Sequence, residues 1–135
     1  MKKVFIDTNV LIYAYSEDEP NKSKLANKII FSNKSIISTQ VINELSNILY
    51  KKFNLTAPLI LKLIDELEEN LEIVNFSINT IKLAHNIKEK YKYSYYDSLI
   101  IATALENNCL ILYSEDMQHN QTIENQLKII NPFKK

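Results

Sequence analysis

Four acidic side chains occupy positions from which they could act together. Asp7 follows the apolar run Val4-Phe5-Ile6, and Asp116 follows the run Cys109 to Tyr113 by way of Ser114 and Glu115. Glu44 lies inside a stretch with helical apolar spacing, and Asp97 stands at the start of another. Carboxylates gathered without compensation repel one another and take up protons unless they share a hard cation with a preference for oxygen ligands. The chemistry indicated is therefore binding of Mg²⁺ or Mn²⁺, and with it hydrolysis of a phosphate ester that needs no histidine base. Zinc is disfavoured, because the only nitrogen and sulfur ligands, His85, His119 and Cys109, have no ligand spacing.

Each acid also has a local structural explanation. Asp7, Thr8 or Asn9 can cap the helix that follows the first strand. Ser94-Tyr95-Tyr96-Asp97 has the form of a capping box, in which serine and the acid satisfy each other's free amides. Glu115 and Asp116 sit where acids favour the start of a turn or helix. Glu44 is the exception: it shares a helix face with Val41 and Ile48, and a carboxylate on an inward face needs a partner. No lysine lies a turn away within that helix, so the expected partner is a tertiary contact or a cation.

The elements that would position these acids can be read from periodicity and punctuation. Strands are expected at Val4 to Ile6, Ser35 to Ser38, Leu71 to Asn75, Leu110 to Tyr113 and Leu127 to Ile130. Helices are expected over Asn9 to Tyr15, from an Asn21 cap through Phe31, over Gln40 to Phe53, from Thr56 with Pro58 to Asn70, from Ser77 or Asn79 to Lys90, and from Ser94 onward. A short helix is expected near Thr122 to Gln126. With no glycine in the chain, Asn33, Asn54, Asn70, Asn107 and Asn108 become the expected helix terminators, asparagine being the next residue to tolerate a left-handed backbone. Short apolar strands alternating with helices predict an α/β domain spanning 1–135, with a central parallel sheet covered on both faces. In it Asp7 and Asp116 close two strands at one edge, and Glu44 and Asp97 lie on helices that begin there.

Composition narrows the function further. The absence of glycine excludes a phosphate-binding P-loop and a dinucleotide fingerprint. Lys+Arg and Asp+Glu are equal at 16 each, so any affinity for nucleic acid must come from local patches. Every basic residue is lysine, which rules out a bidentate arginine clamp on phosphate. Cys109 lies in an apolar run and is expected to pack as a buried hydrophobe. With no apolar run long enough to cross a bilayer and a strand directly after Met1-Lys2-Lys3, the expected location is cytoplasmic.

Asp7-Thr8-Asn9 after the first strand, Glu44, the segment Tyr96-Asp97-Ser98-Leu99-Ile100-Ile101-Ala102-Thr103-Ala104 and Ser114-Glu115-Asp116 together resemble the PIN-domain family. The ending from Ser114 through Phe133 is similar to the VapC-type toxin ribonucleases of toxin–antitoxin pairs. The resemblance implies a three-layer α/β/α fold with Asp7, Glu44, Asp97 and Asp116 at the acidic positions. It implies Thr8, Asn9 and Ser114 as supporting groups and Glu115 as an additional acid. It implies Mg²⁺- or Mn²⁺-dependent cleavage of RNA, an antitoxin partner with a basic tail, and a homodimer. Asn120 stands where this subgroup often has glycine, and it is expected to adopt the same left-handed backbone. In the absence of arginine, RNA would be held by Lys51, Lys52, Lys88, Lys90 and Lys92 or by Tyr91 and Tyr93, unless these form an ordinary solvated surface. Two rival functions use the same acids: a non-catalytic module that docks a basic partner, and a housekeeping RNA-processing nuclease.

Overall fold

Apolar strands buried on both faces form the centre of the molecule, described for residues 2–134 by a computed structural model. Strand β1 (Lys3–Ile6) carries Val4, Phe5 and Ile6, all fully buried. It lies between β2 (Lys34–Ser38) and β4 (Ile111–Tyr113), both parallel to it, with Phe5 opposite Ile36 on one side and Leu112 on the other. Strand β3 (Glu72–Val74) adds parallel to β2, and β6 (Leu127–Ile130) parallel to β4. The complete order is β3-β2-β1-β4-β6-β5, with β5 (Thr122–Ile123) at the edge.

Helices α1 (Thr8–Ala14) and α2 (Pro20–Ser32) connect β1 to β2, and α3 (Thr39–Lys51) and α4 (Ala57–Asn70) connect β2 to β3. The chain then returns through α5 (Ile78–Tyr91) and α6 (Tyr95–Glu106) to place β4 on the opposite side of β1. Strand order reverses between β1 and β4, the kind of crevice in which open α/β sheets bind ligands. The expected α/β architecture with helices flanking a mostly parallel sheet is observed. Helix α6 is buried at every residue from Ser98 to Leu105, consistent with its nearly uniform apolar sequence. None of the helices described is long and apolar enough to cross a membrane. Cys109 is fully buried, and burial pushes its thiol up to about 11, so it packs rather than reacts.

The segment Thr122 to Gln126 is not helical. Glu124 and Asn125 both have positive φ, 51° and 54°; they are the central residues of a turn closed by the Gln126 amide donating to the Ile123 carbonyl at 3.0 Å, and β5 pairs antiparallel to β6 with Ile123 opposite Leu127. Two consecutive left-handed residues match the twist of a hairpin, and both Ile123 and Leu127 are thereby fully buried. The sheet is therefore mixed at this edge. Helix α2 also differs at its start: Pro20 opens it, and Glu19, not Asn21, is the capping residue, without a side-chain hydrogen bond.

Asparagine punctuates the chain in two ways. Asn54, Asn108 and Asn120 take left-handed backbones, as expected. Asn33, Asn70 and Asn107 do not; each donates its side-chain amide to the carbonyl four residues earlier, at 2.8 Å in all three cases, and so ties its side chain back onto the last turn of the helix. Helix α5 ends instead on Lys92 at φ 66°, a position disfavoured for a lysine. Replacing Lys92 by glycine should therefore raise the unfolding free energy by about 0.5–1 kcal/mol, after allowing for the greater flexibility of the unfolded glycine chain. Urea denaturation of the two proteins provides the measurement; an unchanged midpoint would refute the assignment of strain to this residue.

Candidate metal and phosphate site

Asp7 leaves the end of β1 with its backbone amide donating to the Tyr113 carbonyl of β4, so it stands at the strand reversal. Its carboxylate is 5% exposed. Oδ1 accepts a hydrogen bond from the Thr8 amide at 2.7 Å, which caps α1, and Oδ2 accepts one from Ser114 Oγ at 2.7 Å. The capping and tertiary roles of Asp7 are thus compatible, one oxygen serving each. Burial pushes its pKa up to about 6 against the pull of Ser114 and Thr8, and the charges of Asp97 and Glu44 raise it further.

Glu44 is half-buried on α3, and its partner is local. Gln40 Nε2 donates to Glu44 Oε1 at 3.0 Å, a neutral amide one turn earlier in the same helix that leaves the carboxylate's charge uncompensated. Burial first, and the Asp97 charge after it, hold the Glu44 carboxyl above the usual carboxylate range despite the Gln40 bond. Asp97, also half-buried, lies in the first turn of α6, where Ser94 Oγ accepts from the Asp97 amide at 3.2 Å. Burial raises its pKa, Ser94 lowers it, and the Asp116 charge raises it. Asp116 is exposed and accepts a hydrogen bond from Asn9 Nδ2 on α1.

The four predicted acids therefore share one end of the sheet and are linked by repulsion: Asp7 with Asp97 and Glu44, Glu44 with Asp97, and Asp97 with Asp116. They stop short of a closed cage. Among the described residues, no three His, Cys, Asp or Glu side chains stand together closely enough to hold a metal ion between them. Three of the four have donors of their own, Asp7 in Ser114 and Thr8, Glu44 in Gln40 and Asp116 in Asn9.

Glu115 takes a different direction from the other acids. It pairs with Lys22 at 2.8 Å and accepts from the Tyr13 hydroxyl at 2.9 Å, while Lys22 Nζ lies over the rings of Tyr13 and Phe133 at 4.6 and 5.2 Å. Lys22 neutralises it. In contrast, no ion pair among the described residues involves Asp7, Glu44, Asp97 or Asp116. Thr8 Oγ1 is buried with no hydrogen-bond partner. An all-oxygen, uncompensated set of this kind fits a hard divalent cation in its chemistry. Mg²⁺ commonly takes only one or two carboxylates and keeps several waters, so a loose set of acids is compatible with it.

The expected RNA-holding residues divide into three groups. Lys51, Lys52 and Lys88 are exposed. Lys90 pairs with Glu124 at 2.7 Å, and Lys92 lies 3.9 Å from Glu89. The Tyr91 and Tyr93 hydroxyls accept from the backbone amides of Glu124 and Gln118, and both rings pack against the core. These two tyrosines secure the segment after β4 and are not presented as stacking surfaces. Gln40 and Lys22 were not singled out from the sequence. The four-residue spacing of Gln40 to Glu44 was a usable signal; the pairing of Lys22 with Glu115 had none.

The PIN domain family model matches residues 4–124. None of the curated proteins matches the sequence. The fold is similar to that of a toxin–antitoxin complex from Klebsiella pneumoniae, at TM-score 0.72 and 19% identity, with 96% of this chain and 98% of that one covered. Mycobacterium tuberculosis VapC20, described as a sarcin-ricin loop cleaving toxin, matches at TM-score 0.69 and 16% identity over 84% of this chain and 89% of that one. DNA-bound VapBC from Salmonella typhimurium matches at TM-score 0.64 and 19% identity, covering 96% and 98%.

Proposed function

Since this chain belongs to the PIN-domain family, we propose that it is a metal-dependent endoribonuclease and the toxin of a toxin–antitoxin pair. The observation that carries this reading is the set of four carboxylates at the strand reversal with no lysine among the described residues paired to any of them. Asp7, Glu44, Asp97 and Asp116 would hold Mg²⁺ or Mn²⁺. When bound, such an ion lowers the pKa of water and offsets charge developing on the phosphoryl and leaving oxygens.

The chain's own residues perform the positioning. Ser114 and the Thr8 amide aim the Asp7 oxygens, and Asn9 restrains Asp116. Glu44 is held by Gln40, and Asp97 is fixed by its place in the first turn of α6. Left uncompensated, this cluster repels an RNA backbone, so substrate binding as well as cleavage should depend on the cation. The exposed Lys51 and Lys52 at the end of α3 are candidates to contact phosphate. The reading includes a homodimer, cytoplasmic action, and an antitoxin whose basic tail occupies the acidic groove. The antitoxin partner alone draws support from the toxin–antitoxin complexes among the similar folds.

The test is cleavage of RNA, single-stranded DNA and a small phosphate ester by purified protein with Mn²⁺, and again with EDTA. RNA should be cut only with the metal. Equal turnover of the small ester would favour a phosphatase, and calorimetry showing no Mn²⁺ uptake would favour a binding module without catalysis. Glu115→Gln gives an internal control. It removes a partly exposed ion pair, so it should lower stability by about 1 kcal/mol or less and leave Mn²⁺ affinity nearly unchanged. A large loss of affinity would return Glu115 to the site.

A further inference from the structure

Gln40 is 7% exposed, and its Nε2 donates to two acceptors: Glu44 Oε1 at 3.0 Å and the Tyr96 carbonyl at 3.1 Å. Tyr96 immediately precedes Asp97, so one amide group joins α3 to the first turn of α6 at the point where each carries an acid of the site. Both partners can only accept. An oxygen in this place would face a carboxylate and a carbonyl, and an ammonium group would neutralise the acid, so a neutral two-hydrogen donor is what the geometry requires.

The other end of the same amide is unfavourable. Gln40 Oε1 is buried with no hydrogen-bond partner. A side chain serving only to fill space would avoid an unsatisfied buried oxygen, since methionine has similar length and no such group. Glu44 explains why the donor is needed. Its carboxylate feels the charge of Asp97, and repulsion alone would turn it toward solvent.

We propose that Gln40 is a positioning residue that holds the Glu44 carboxylate beside Asp97 against their repulsion and couples the α3 and α6 sides of the acidic site. The proposal rests on the nuclease reading above. Gln40 touches no reacting atom; it acts through Glu44.

A double-mutant cycle tests it, with Mn²⁺ affinity by calorimetry and RNA cleavage rate measured for the parent, Gln40→Met, Glu44→Gln and the double variant. Gln40→Met should weaken Mn²⁺ binding by roughly 10–100-fold, as expected for loss of an outer-shell partner. The double variant should be no worse than Glu44→Gln alone, because the first change acts only through the second residue. Losses that multiply would show a general structural role and overturn the proposal. Should Gln40→Met fail to fold, the side-chain amide resonances of Gln40 in the parent protein take its place. They should move when Mg²⁺ is added, and unmoved resonances overturn the proposal. A parent protein that neither binds Mn²⁺ nor cuts RNA removes the nuclease reading and this inference with it, whereas a parent that does both and shows multiplying losses removes this inference alone.

Discussion

Asp7→Asn should abolish Mn²⁺-dependent RNA cleavage while leaving the protein folded. Asp7 is the most buried of the four acids, joins β1 to β4 through its own amide, and feels both Asp97 and Glu44. Asparagine keeps an acceptor for the Thr8 amide, and its new amide hydrogens can be received by the Ser114 hydroxyl, so the local frame survives. What disappears is the negative charge and one oxygen ligand. The loss should exceed the roughly 100-fold that removal of an outer-shell partner produces. Cleavage at the parental rate would remove Asp7 from the site. Without metal at pH 7.5 or above, the same variant should be more stable than the parent, because it no longer buries a charge.

The metal-free parent should lose stability as pH rises through about 6. Asp7 has a folded-state pKa of about 6 against an ordinary 3.8, and burial is the main cause. The folded protein therefore binds a proton more tightly than the unfolded chain does. That contribution is complete below pH 3.8, declines as pH rises through the folded value, and is gone above it. From this residue alone the full difference is about 3 kcal/mol, of which roughly 1.4 kcal/mol is still present at pH 5. Glu44 and Asp97 are raised as well and act in the same direction. Chemical denaturation in EDTA at pH 5 and pH 7.5 should show the decline. Mg²⁺ should restore stability at the higher pH, since a ligand of the folded state shifts the equilibrium toward it. Equal stability at both pH values in EDTA would mean that Asp7 ionises without penalty.

Much of this site is legible in the sequence because its parts are local. Asp7 after a three-residue apolar strand, Ser94 and Asp97 in capping register, and Asn120 as a left-handed residue each follow from contacts within a few positions of the chain. The hairpin at Glu124 and Asn125 is not legible in this way. Polar residues between apolar ones are compatible with either a helix start or a tight turn. Only the burial of Ile123 and Leu127 against the sheet selects the turn.

By itself the sequence determined the alternation of strands and helices, the lack of metal-ligand spacing among its few nitrogen and sulfur ligands, and the lack of any arginine to grip phosphate. The tertiary structure alone decided which acids stay uncompensated. Glu115 and Asp116 are adjacent in the chain, yet one is neutralised by Lys22 and the other turns to Asn9 beside the site. The bond from Ser114 to Asp7 likewise spans 107 positions. Such pairings depend on β4 lying beside β1, which long crossover connections and burial of the whole sheet determine; spacing along the chain carries no record of them.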